Sequence, residues 1–372
     1  MPFETRRRCQ VAGALRMYNG PHNGCKGKQG ERMATASHGA KPSPERIFST
    51  LTAFQQTEAL KAAIHLDIFT KIGEGANEVS LLAKAVGASE RGVRILSDYM
   101  AIFGFLTKEN NRYGLTQESA VFLDRRSPAY MGSMANFLAA DMHRASFGAL
   151  TEAVRKGGSA TDKGDNTKPR DEFWVEFARS MAGLAIPGAE FIAALIGAPE
   201  GKPCKVLDIA AGHGMYGITI ARRNPAAEIV ALDWPAVVSV AHENAKKFGV
   251  ADRHSTRPGS AFEADFGEGY DYILLTNILH HFDPPGCEKL MRRVHAALKP
   301  GGKAITLEFV PNEDRISPQI PAAFSLVMLA NTDAGDSYTF AELDRIFQNS
   351  GFAKTTEHPI PEMPQTVLVS EK

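Results

Sequence analysis

Two carboxylates on either side of a turn of small residues are the side chains of this chain best placed for chemistry. A short apolar run predicts a buried strand that contains Asp208, and Gly212 and Gly214 follow that run. A second apolar run predicts another strand, which ends in Asp233. In such a unit the turn lets backbone amides approach a ligand, and the second acid can bind both hydroxyls of a ribose. The pattern therefore predicts an adenosine-containing cofactor.

Two kinds of cofactor fit this unit. Gly212, Gly214 and Gly217 satisfy the dinucleotide pattern G-x-G-x-x-G, but a single match of that kind is weak. Binding a pyrophosphate does not require an acid before the turn, whereas Asp208 suits a cofactor with a cationic amine, such as S-adenosylmethionine. The segment LKPGGKAITLEF (298–309), which follows a predicted helix and opens another strand, favours the second kind. Together these features resemble the class I S-adenosylmethionine-dependent methyltransferases.

Length and composition narrow the class of protein. A chain of 372 residues predicts two domains. Its 42 basic and 42 acidic residues give a formal charge of zero, which gives no global reason to expect binding to nucleic acid or an anionic membrane. The four cysteines lack the spacing of a metal site or disulfide framework, and no apolar stretch is long enough to span a bilayer. We therefore expect a cytoplasmic protein.

The first 40 residues predict a disordered leader. Residues 1–32 carry seven lysines and arginines against two acids, with many glycines and no apolar period. A basic arm or targeting peptide is an alternative, although the segment lacks the apolar core of a secretion signal. A further alternative is that the segment is not normally translated, because Met33 begins a stretch that resembles an ordinary protein start.

Residues 41–127 predict helices followed by a small hairpin, which together make a winged helix. The hairpin strands are expected at 105–107 and 113–115, with Asn110-Asn111 at the tip. A winged helix can bind DNA, but the helix expected at 90–100 carries only two arginines beside two acids. Specific DNA binders usually need more phosphate-neutralising cations, so we favour a dimerisation role.

The segment between the two predicted domains is helical. Residues 128–157 predict a long apolar-rich helical stretch, and 157–170 predict a surface loop rich in glycine and charged residues. The helix that follows places Phe173, Phe177 and Met181 on one face through spacings of four. This face is either part of the core or a wall for a flat substrate, and the sequence leaves both readings open.

These parts in this order resemble small-molecule O-methyltransferases of the caffeic-acid/hydroxyindole type, from about residue 45 to the end. The resemblance implies an α/β fold: a Rossmann-like class I methyltransferase domain (198–372) preceded by a mainly helical winged-helix dimerisation domain. Connecting helices over 128–197 would line the substrate pocket. It also implies S-adenosylmethionine as cofactor, a homodimer, and a small aromatic or polyketide-like acceptor. From the charge balance we expect no nucleic-acid or membrane partner.

The resemblance also assigns cofactor contacts. Asp233 matches the ribose-binding acid, and Trp234 stands where the adenine pocket begins. Ser260 and Ala261 occupy the place of an acid and a hydrophobic residue that often contact the adenine amino group. Alanines at 210–211 replace common glycines of the turn, and alanine is small enough for the site to be kept.

The chemistry is expected in the segment TNILHHFDPPGCE. Methyl transfer from a sulfonium is an in-line displacement that needs no metal, so the enzyme must align the partners and activate the nucleophile. A phenol has a pKa of about 10, and a histidine within hydrogen-bond reach can take its proton. His280 matches the family's catalytic histidine, and His281 replaces an acid often found beside it. Adjacent side chains point in different directions, so at most one is the base; both could instead cap the next helix.

Two family acids flank the catalytic histidine. Glu308, in the apolar strand KAITLEFV, matches one of them and would fix the tautomer of the imidazole. The second falls on Ser337, with Asp336 beside it, so either Asp336 substitutes or the site uses one acid. This departure keeps open C- or N-methylation, or a relative that does not transfer methyl. Met328 and Asn331 match the substrate-facing segment, with helix core as the alternative.

Overall fold

The computed structural model describes residues 42–161 and 170–372. The predicted leader over 1–40 and most of the loop predicted at 157–170 lie outside these residues. In the described ranges, no helix combines the length and the apolar character needed to cross a membrane.

Helices and one hairpin form the amino-terminal part. Their bounds are α1 Glu45–His65, α2 Ile68–Gly73, α3 Val79–Val86, α4 Glu90–Ile102, β1 Leu106–Glu109, β2 Arg112–Leu115 and α5 Gln117–Phe122. The strands β1 and β2 pair antiparallel. Asn110 and Asn111 form the tip with φ of 48° and 59°, as a two-residue hairpin turn requires. This confirms the predicted hairpin and, with the preceding helices, the winged helix.

The connecting segment contains α6 Met134–Leu138, α7 Asp141–Gly148, α8 Leu150–Lys156 and α9 Asp171–Leu195. The stretch predicted as long and helical over 128–157 is therefore three short helices. Between α6 and α7 the backbone of Ala140 is extended (ψ 149°). Lys61 Nζ donates to the Ala139 carbonyl at 2.7 Å, which satisfies an acceptor that the break leaves outside a helix.

A mostly parallel sheet with covering helices forms the carboxyl-terminal part. Its elements are β3 Cys204–Ile209, α10 Met215–Arg223, β4 Ala227–Asp233, α11 Pro235–Lys247, β5 His254–Pro258, β6 Tyr270–Thr276, α12 Pro284–Ala297, β7 Leu298–Glu308, α13 Gln319–Asn331, α14 Phe340–Asn349, β8 Lys354–Pro359 and β9 Thr366–Glu371. The strand order is β5-β4-β3-β6-β7-β9-β8, and β9 runs antiparallel to both of its neighbours. This is the Rossmann-like sheet that the sequence predicted.

Alternation along the central strands builds two cores. Leu207 and Ile209 of β3 pack into the cluster on one face of the sheet, and Val206 packs into the cluster on the other face. On β6, Ile273 packs into the first of these clusters and Leu274 into the second. Because both faces are covered, these strands are apolar along most of their length.

The register of the sheet positions the site. The carboxyl ends of β3, β4, β6 and β7 lie at one edge, where ligands bind in sheets of this kind. Thr276, the last residue of β6, pairs with Leu307, next to Glu308 at the end of β7. The segment after β6, which holds both histidines, therefore begins beside Glu308.

Candidate active site

A buried histidine–glutamate pair lies at this edge. His280 Nδ1 is 2.5 Å from Glu308 Oε2, and both side chains are almost completely buried. The other oxygen, Oε1, accepts hydrogen bonds from the backbone amides of Ile278 (3.0 Å) and Leu279 (2.8 Å). Glu308 is thus fixed on one side by the backbone and holds the imidazole on the other.

The turn before the pair aims the two amides at Glu308. Asn277 has a φ of 56°, and its amide donates to the Leu307 carbonyl at 2.8 Å. This left-handed residue reverses the chain, so that the next two N–H groups face the carboxylate. Asparagine tolerates this conformation better than most residues do.

The neighbouring His281 has different surroundings. Its ring lies 4.4 Å from the His280 ring and 5.8 Å from the Trp174 ring, measured between centroids. Burial lowers the pKa of His281 well below its ordinary value, and the adjacent His280 adds to the effect. His281 is therefore neutral at physiological pH. The Phe324 ring packs edge-on against the His280 ring, with the centroids 5.0 Å apart.

The turn after β3 forms a cradle for a ligand. Ala210, Gly212 and Gly214 all have positive φ, of 53°, 55° and 73°. A Cβ on Gly214 would lie 2.8 Å from Ala241 Cβ, so only glycine fits there. A Cβ on Gly212 would lie 3.9 Å from Phe177 Cε1, which places that ring directly beside the turn.

Asp208 lies fully buried next to this turn. Its Oδ2 accepts from the Gly217 amide at 3.2 Å, and Oδ1 has no partner among the described residues. Burial raises the pKa of Asp208 to about 7; the Gly217 hydrogen bond opposes the rise, and the Asp233 carboxylate adds to it. An unpartnered buried carboxylate oxygen beside a backbone cradle fits a cofactor that carries a cationic amine.

Asp233 ties the end of β4 to the same turn. One carboxylate oxygen accepts from the Gly212 amide and the other from the Trp234 amide, each at 2.7 Å. Burial raises the pKa of Asp233 to about 6, against the effect of these two hydrogen bonds. The Gly259 amide donates to the Asp233 carbonyl at 2.8 Å, which brings Ser260 beside this acid.

An aromatic wall stands beside the histidines. It consists of Phe137 of α6, His143 of α7, and Phe173, Trp174 and Phe177 of α9. The Phe137 ring lies 5.1 Å from Phe173 and 5.0 Å from Phe177, and His143 packs edge-on against Phe137 at 4.8 Å. The wall includes two of the three residues predicted on one face of this helix. The third, Met181, is half-buried on the same helix.

The other expected substrate residues lie on α13. Met328 and Asn331 are buried, and Asn331 Nδ2 donates to the Val327 carbonyl at 2.9 Å. A hydrogen bond with Asn331 raises the pKa of His143, although burial lowers it more. Asn331 is thereby next to the aromatic wall, whereas Met328 lies one helical turn earlier.

Asp336 pairs with a residue outside the His280–Glu308 pair. Asp336 Oδ2 binds Arg315 Nη1 at 3.3 Å, on the exposed side of its loop. Ser337 is buried, and its hydroxyl donates to the Phe309 carbonyl at 2.7 Å. A Cβ on Gly335 would lie 2.1 Å from the His280 carbonyl oxygen, so this loop packs tightly behind the histidine without placing a carboxylate on it.

Sequence reasoning missed several members of the site. Phe137, His143, Trp174 and Phe324 come from helices whose facing was unknown, and Trp174 is one position away from the predicted apolar face. The clustering of aromatic residues in the segment EFWVEF was a usable signal. For His143, no comparable signal was present.

Comparisons with known proteins bear on this site. Two family models match the chain, an O-methyltransferase dimerisation domain over residues 48–125 and an O-methyltransferase domain over 202–353. A solved O-methyltransferase structure from Nostoc punctiforme PCC 73102 is 46% identical, with a TM-score of 0.85 over 90% of this chain and 100% of that one. TcmO, the tetracenomycin polyketide synthesis 8-O-methyl transferase of Streptomyces glaucescens, is 26% identical over 88% of this chain and 97% of its own length.

A further structure shares the fold. Human N-acetylserotonin methyltransferase, solved with S-adenosylmethionine, is 22% identical and superimposes with a TM-score of 0.78 over 90% of this chain and 99% of that one. The two matched domains and the relative that is 46% identical along its full length show that this chain belongs to the O-methyltransferase family and is an S-adenosylmethionine-dependent methyltransferase.

Proposed function

We propose that this enzyme methylates a hydroxyl of a small aromatic or polyketide-like metabolite, with His280 as general base. The observation that carries the proposal is the buried contact between His280 Nδ1 and Glu308 Oε2. When Nδ1 donates to the carboxylate, Nε2 has no proton and can accept one from the acceptor hydroxyl.

The chain's own residues then perform three tasks. When bound, S-adenosylmethionine supplies the methyl group as an electrophile with a neutral leaving group. His280 Nε2 takes the hydroxyl proton as the oxygen attacks, which contributes on the order of 10²–10⁴ in rate for a positioned base. Glu308 stabilises the resulting imidazolium, and two backbone amides keep that carboxylate in place. The site thus operates with one acid, because Asp336 is paired elsewhere.

The cofactor-binding residues are those of the turn and the two strands beside it. Gly212 and Gly214 would approach the cofactor through backbone, Asp208 would face its amine, and Asp233 its ribose hydroxyls. Trp234, Ser260 and Ala261 would surround the adenine. Trp234 packs with Trp174 and Val237 in one apolar cluster, which gives that pocket a rigid wall.

The acceptor would lie between the aromatic wall and α13. The flat ring of Phe177 beside the cofactor turn, with Phe173 on the same wall, favours a flat acceptor. Met181, Met328 and Asn331 would enclose it. The name of TcmO, a polyketide O-methyltransferase, supports an aromatic polyketide-like molecule.

Replacing the base tests the proposal. His280→Ala should lower kcat on a phenolic acceptor such as 1-naphthol by about 10²–10⁴ and leave the Kd for S-adenosylmethionine unchanged by calorimetry. His358→Ala, on the edge strand β8, is the control and should keep full turnover. Mass spectrometry and NMR of the product distinguish an ether from methylation at carbon or nitrogen. Unchanged turnover in His280→Ala would rule out His280 as the general base.

A winged-helix regulator that binds DNA is a less favoured alternative, and the ion pairs formed by cations of the winged helix disfavour it. Arg94 and Lys108 both bind Asp98, and Arg112 binds Glu78. Cations neutralised by protein acids are less able to bind DNA phosphates. A mobility shift of duplex DNA with a steep salt dependence would support the regulator instead.

We further propose that the enzyme is a homodimer held by its amino-terminal domain. That domain matches the dimerisation model. Helix α1 has Ile47, Phe48, Leu51 and Phe54 on its surface, each more than 60% exposed (63%, 64%, 68% and 64%). A row of large apolar side chains at helical spacing is typical of a helix that packs on a partner.

A further inference from the structure

Two hydrogen-bonding atoms of the aromatic wall are buried without a partner in the part of the chain that the structure describes. Trp174 Nε1 and His143 Nε2 have almost no contact with solvent and bind no other group of the described residues. A buried polar group in this state destabilises the protein, and native proteins keep few of them. Since both atoms belong to the proposed acceptor site, a ligand is the natural partner for each.

The two atoms lie at different distances along the wall from the catalytic base. The Trp174 ring contacts His281, which contacts His280, so Trp174 is one ring away from the base. Phe173 then connects Trp174 (4.8 Å between centroids) to His143 (5.9 Å). A flat molecule that extends from His280 along this wall would pass both polar atoms.

The chemistry of the two side chains defines what they would bind. An indole N–H is a donor only and requires an oxygen or nitrogen acceptor. Burial lowers the pKa of His143, so its ring is neutral; Asn331 interacts with this side chain, and Nε2 is the ring nitrogen that has no partner among the described residues. Hydroxyl oxygens satisfy either ring, and carbonyl oxygens satisfy a donor.

We infer that Trp174 and His143 recognise a second oxygen of the acceptor, a hydroxyl or carbonyl on the ring system apart from the hydroxyl that is methylated. This rests on the proposed function. Phe173 contacts both rings and is only half-buried, so it is the side chain that an entering acceptor displaces. The preferred acceptor is therefore a phenol of at least two fused rings that carries a further oxygen substituent.

A matched set of small phenols tests the inference by binding. The probes are 1-naphthol and the dihydroxynaphthalenes with the second hydroxyl at position 3, 5 or 8, titrated into full-length enzyme with S-adenosylhomocysteine. At least one dihydroxynaphthalene should bind about tenfold more tightly than 1-naphthol. Trp174→Phe or His143→Phe, which keep an aromatic ring, should reduce that preference, taken as the ratio of the two dissociation constants, to within about twofold.

His254→Phe is the control. Both ring nitrogens of His254 are also buried without a partner among the described residues, but this residue begins the outer strand β5. It should keep the preference. Equal affinity for all four probes in the unaltered enzyme, or a preference that survives both wall substitutions, would overturn the inference while O-methylation of 1-naphthol still upholds the proposed function. Failure to bind or methylate any probe would overturn both.

Discussion

His280 Nδ1 lies 2.5 Å from Glu308 Oε2, while Glu308 Oε1 accepts from two backbone amides. Because the two amides hold Oε1, only Oε2 is available to the imidazole. The relationship therefore determines the tautomer of the imidazole, with the proton on Nδ1 and the free lone pair on Nε2.

Glu308→Gln should invert this tautomer. The amide oxygen of glutamine must accept from Ile278 and Leu279, so its NH2 group faces His280 Nδ1. That nitrogen must then accept, which moves the ring proton to Nε2 and removes the base. We expect kcat to fall on the order of 10³–10⁴ with little change in the Kd for S-adenosylmethionine, measured by steady-state kinetics and calorimetry.

The control for this change is Glu371→Gln, which removes an exposed pair with Lys303 at the end of β9. It should keep normal turnover. A Glu308→Gln enzyme with undiminished kcat would mean that the pair has no role in proton transfer.

Gly214→Ala should damage the cofactor turn through two separable effects. The positive φ of Gly214 costs an alanine about 1 kcal/mol, and its Cβ would also collide with Ala241. Gly249 is a matched control, because it has a φ of 71° and nothing within 4 Å of an added Cβ. Both variants should melt at lower temperature, but only Gly214→Ala should weaken binding of S-adenosylmethionine by tenfold or more, on the order of 1.4 kcal/mol. Equal cofactor affinity in the two variants would contradict a role for this contact.

Cofactor affinity should depend on pH through Asp208. Its pKa in the folded protein is about 7, above the value near 4 in an unfolded chain, so the protonated form stabilises the free enzyme. That contribution is complete below about pH 4 and is lost as the pH rises through 7. A cationic amine binds the ionised carboxylate, so affinity for S-adenosylmethionine should rise about tenfold between pH 6 and 7.5.

Two further calorimetric titrations, one with a protein variant and one with a cofactor analogue, check this pH dependence. In Asp208→Asn the affinity should change by no more than about twofold over this range, the change that Asp233 with a pKa of about 6 produces. Binding of 5′-methylthioadenosine, which lacks the amine, to the unaltered enzyme should show the same small dependence. If S-adenosylmethionine itself showed no pH dependence, Asp208 would not contact the amine.

The dimer should depend on the apolar surface of α1. Phe48→Glu combined with Phe54→Glu removes two side chains that are each 64% exposed in the chain described. Burying a phenylalanine contributes about 1.5–3 kcal/mol, so the dimer dissociation constant should increase at least ~100-fold. Sedimentation velocity measures this, and Gln55→Glu on the same helix should leave the dimer intact. A double variant that sediments like the unaltered protein would place the interface elsewhere.

The sequence determined the parts of this protein that depend on neighbouring residues. The strand, turn and helix around Asp208 and Gly214 could be predicted because the small residues that form the turn follow one another along the chain. The hairpin could be predicted as well, because its turn residues, Asn110 and Asn111, are also neighbours in sequence. The division of the long helical stretch expected over 128–157 into three short helices was not predicted; at its break near Ala140 the Ala139 carbonyl accepts from Lys61, which is distant in sequence.

Tertiary structure decided the contacts between distant segments. Glu308 reaches His280 through the register of β6 against β7, and the two backbone amides on Glu308 depend on the left-handed Asn277. Likewise, only the tertiary fold brings His143 of α7 to Phe173 of α9 and buries Trp174 Nε1 without a hydrogen-bond partner among the described residues. Local sequence specifies backbone conformation through sterics and hydrogen bonding between neighbours. Which side chains meet across elements is decided by register and by helix facing, which short-range patterns do not encode.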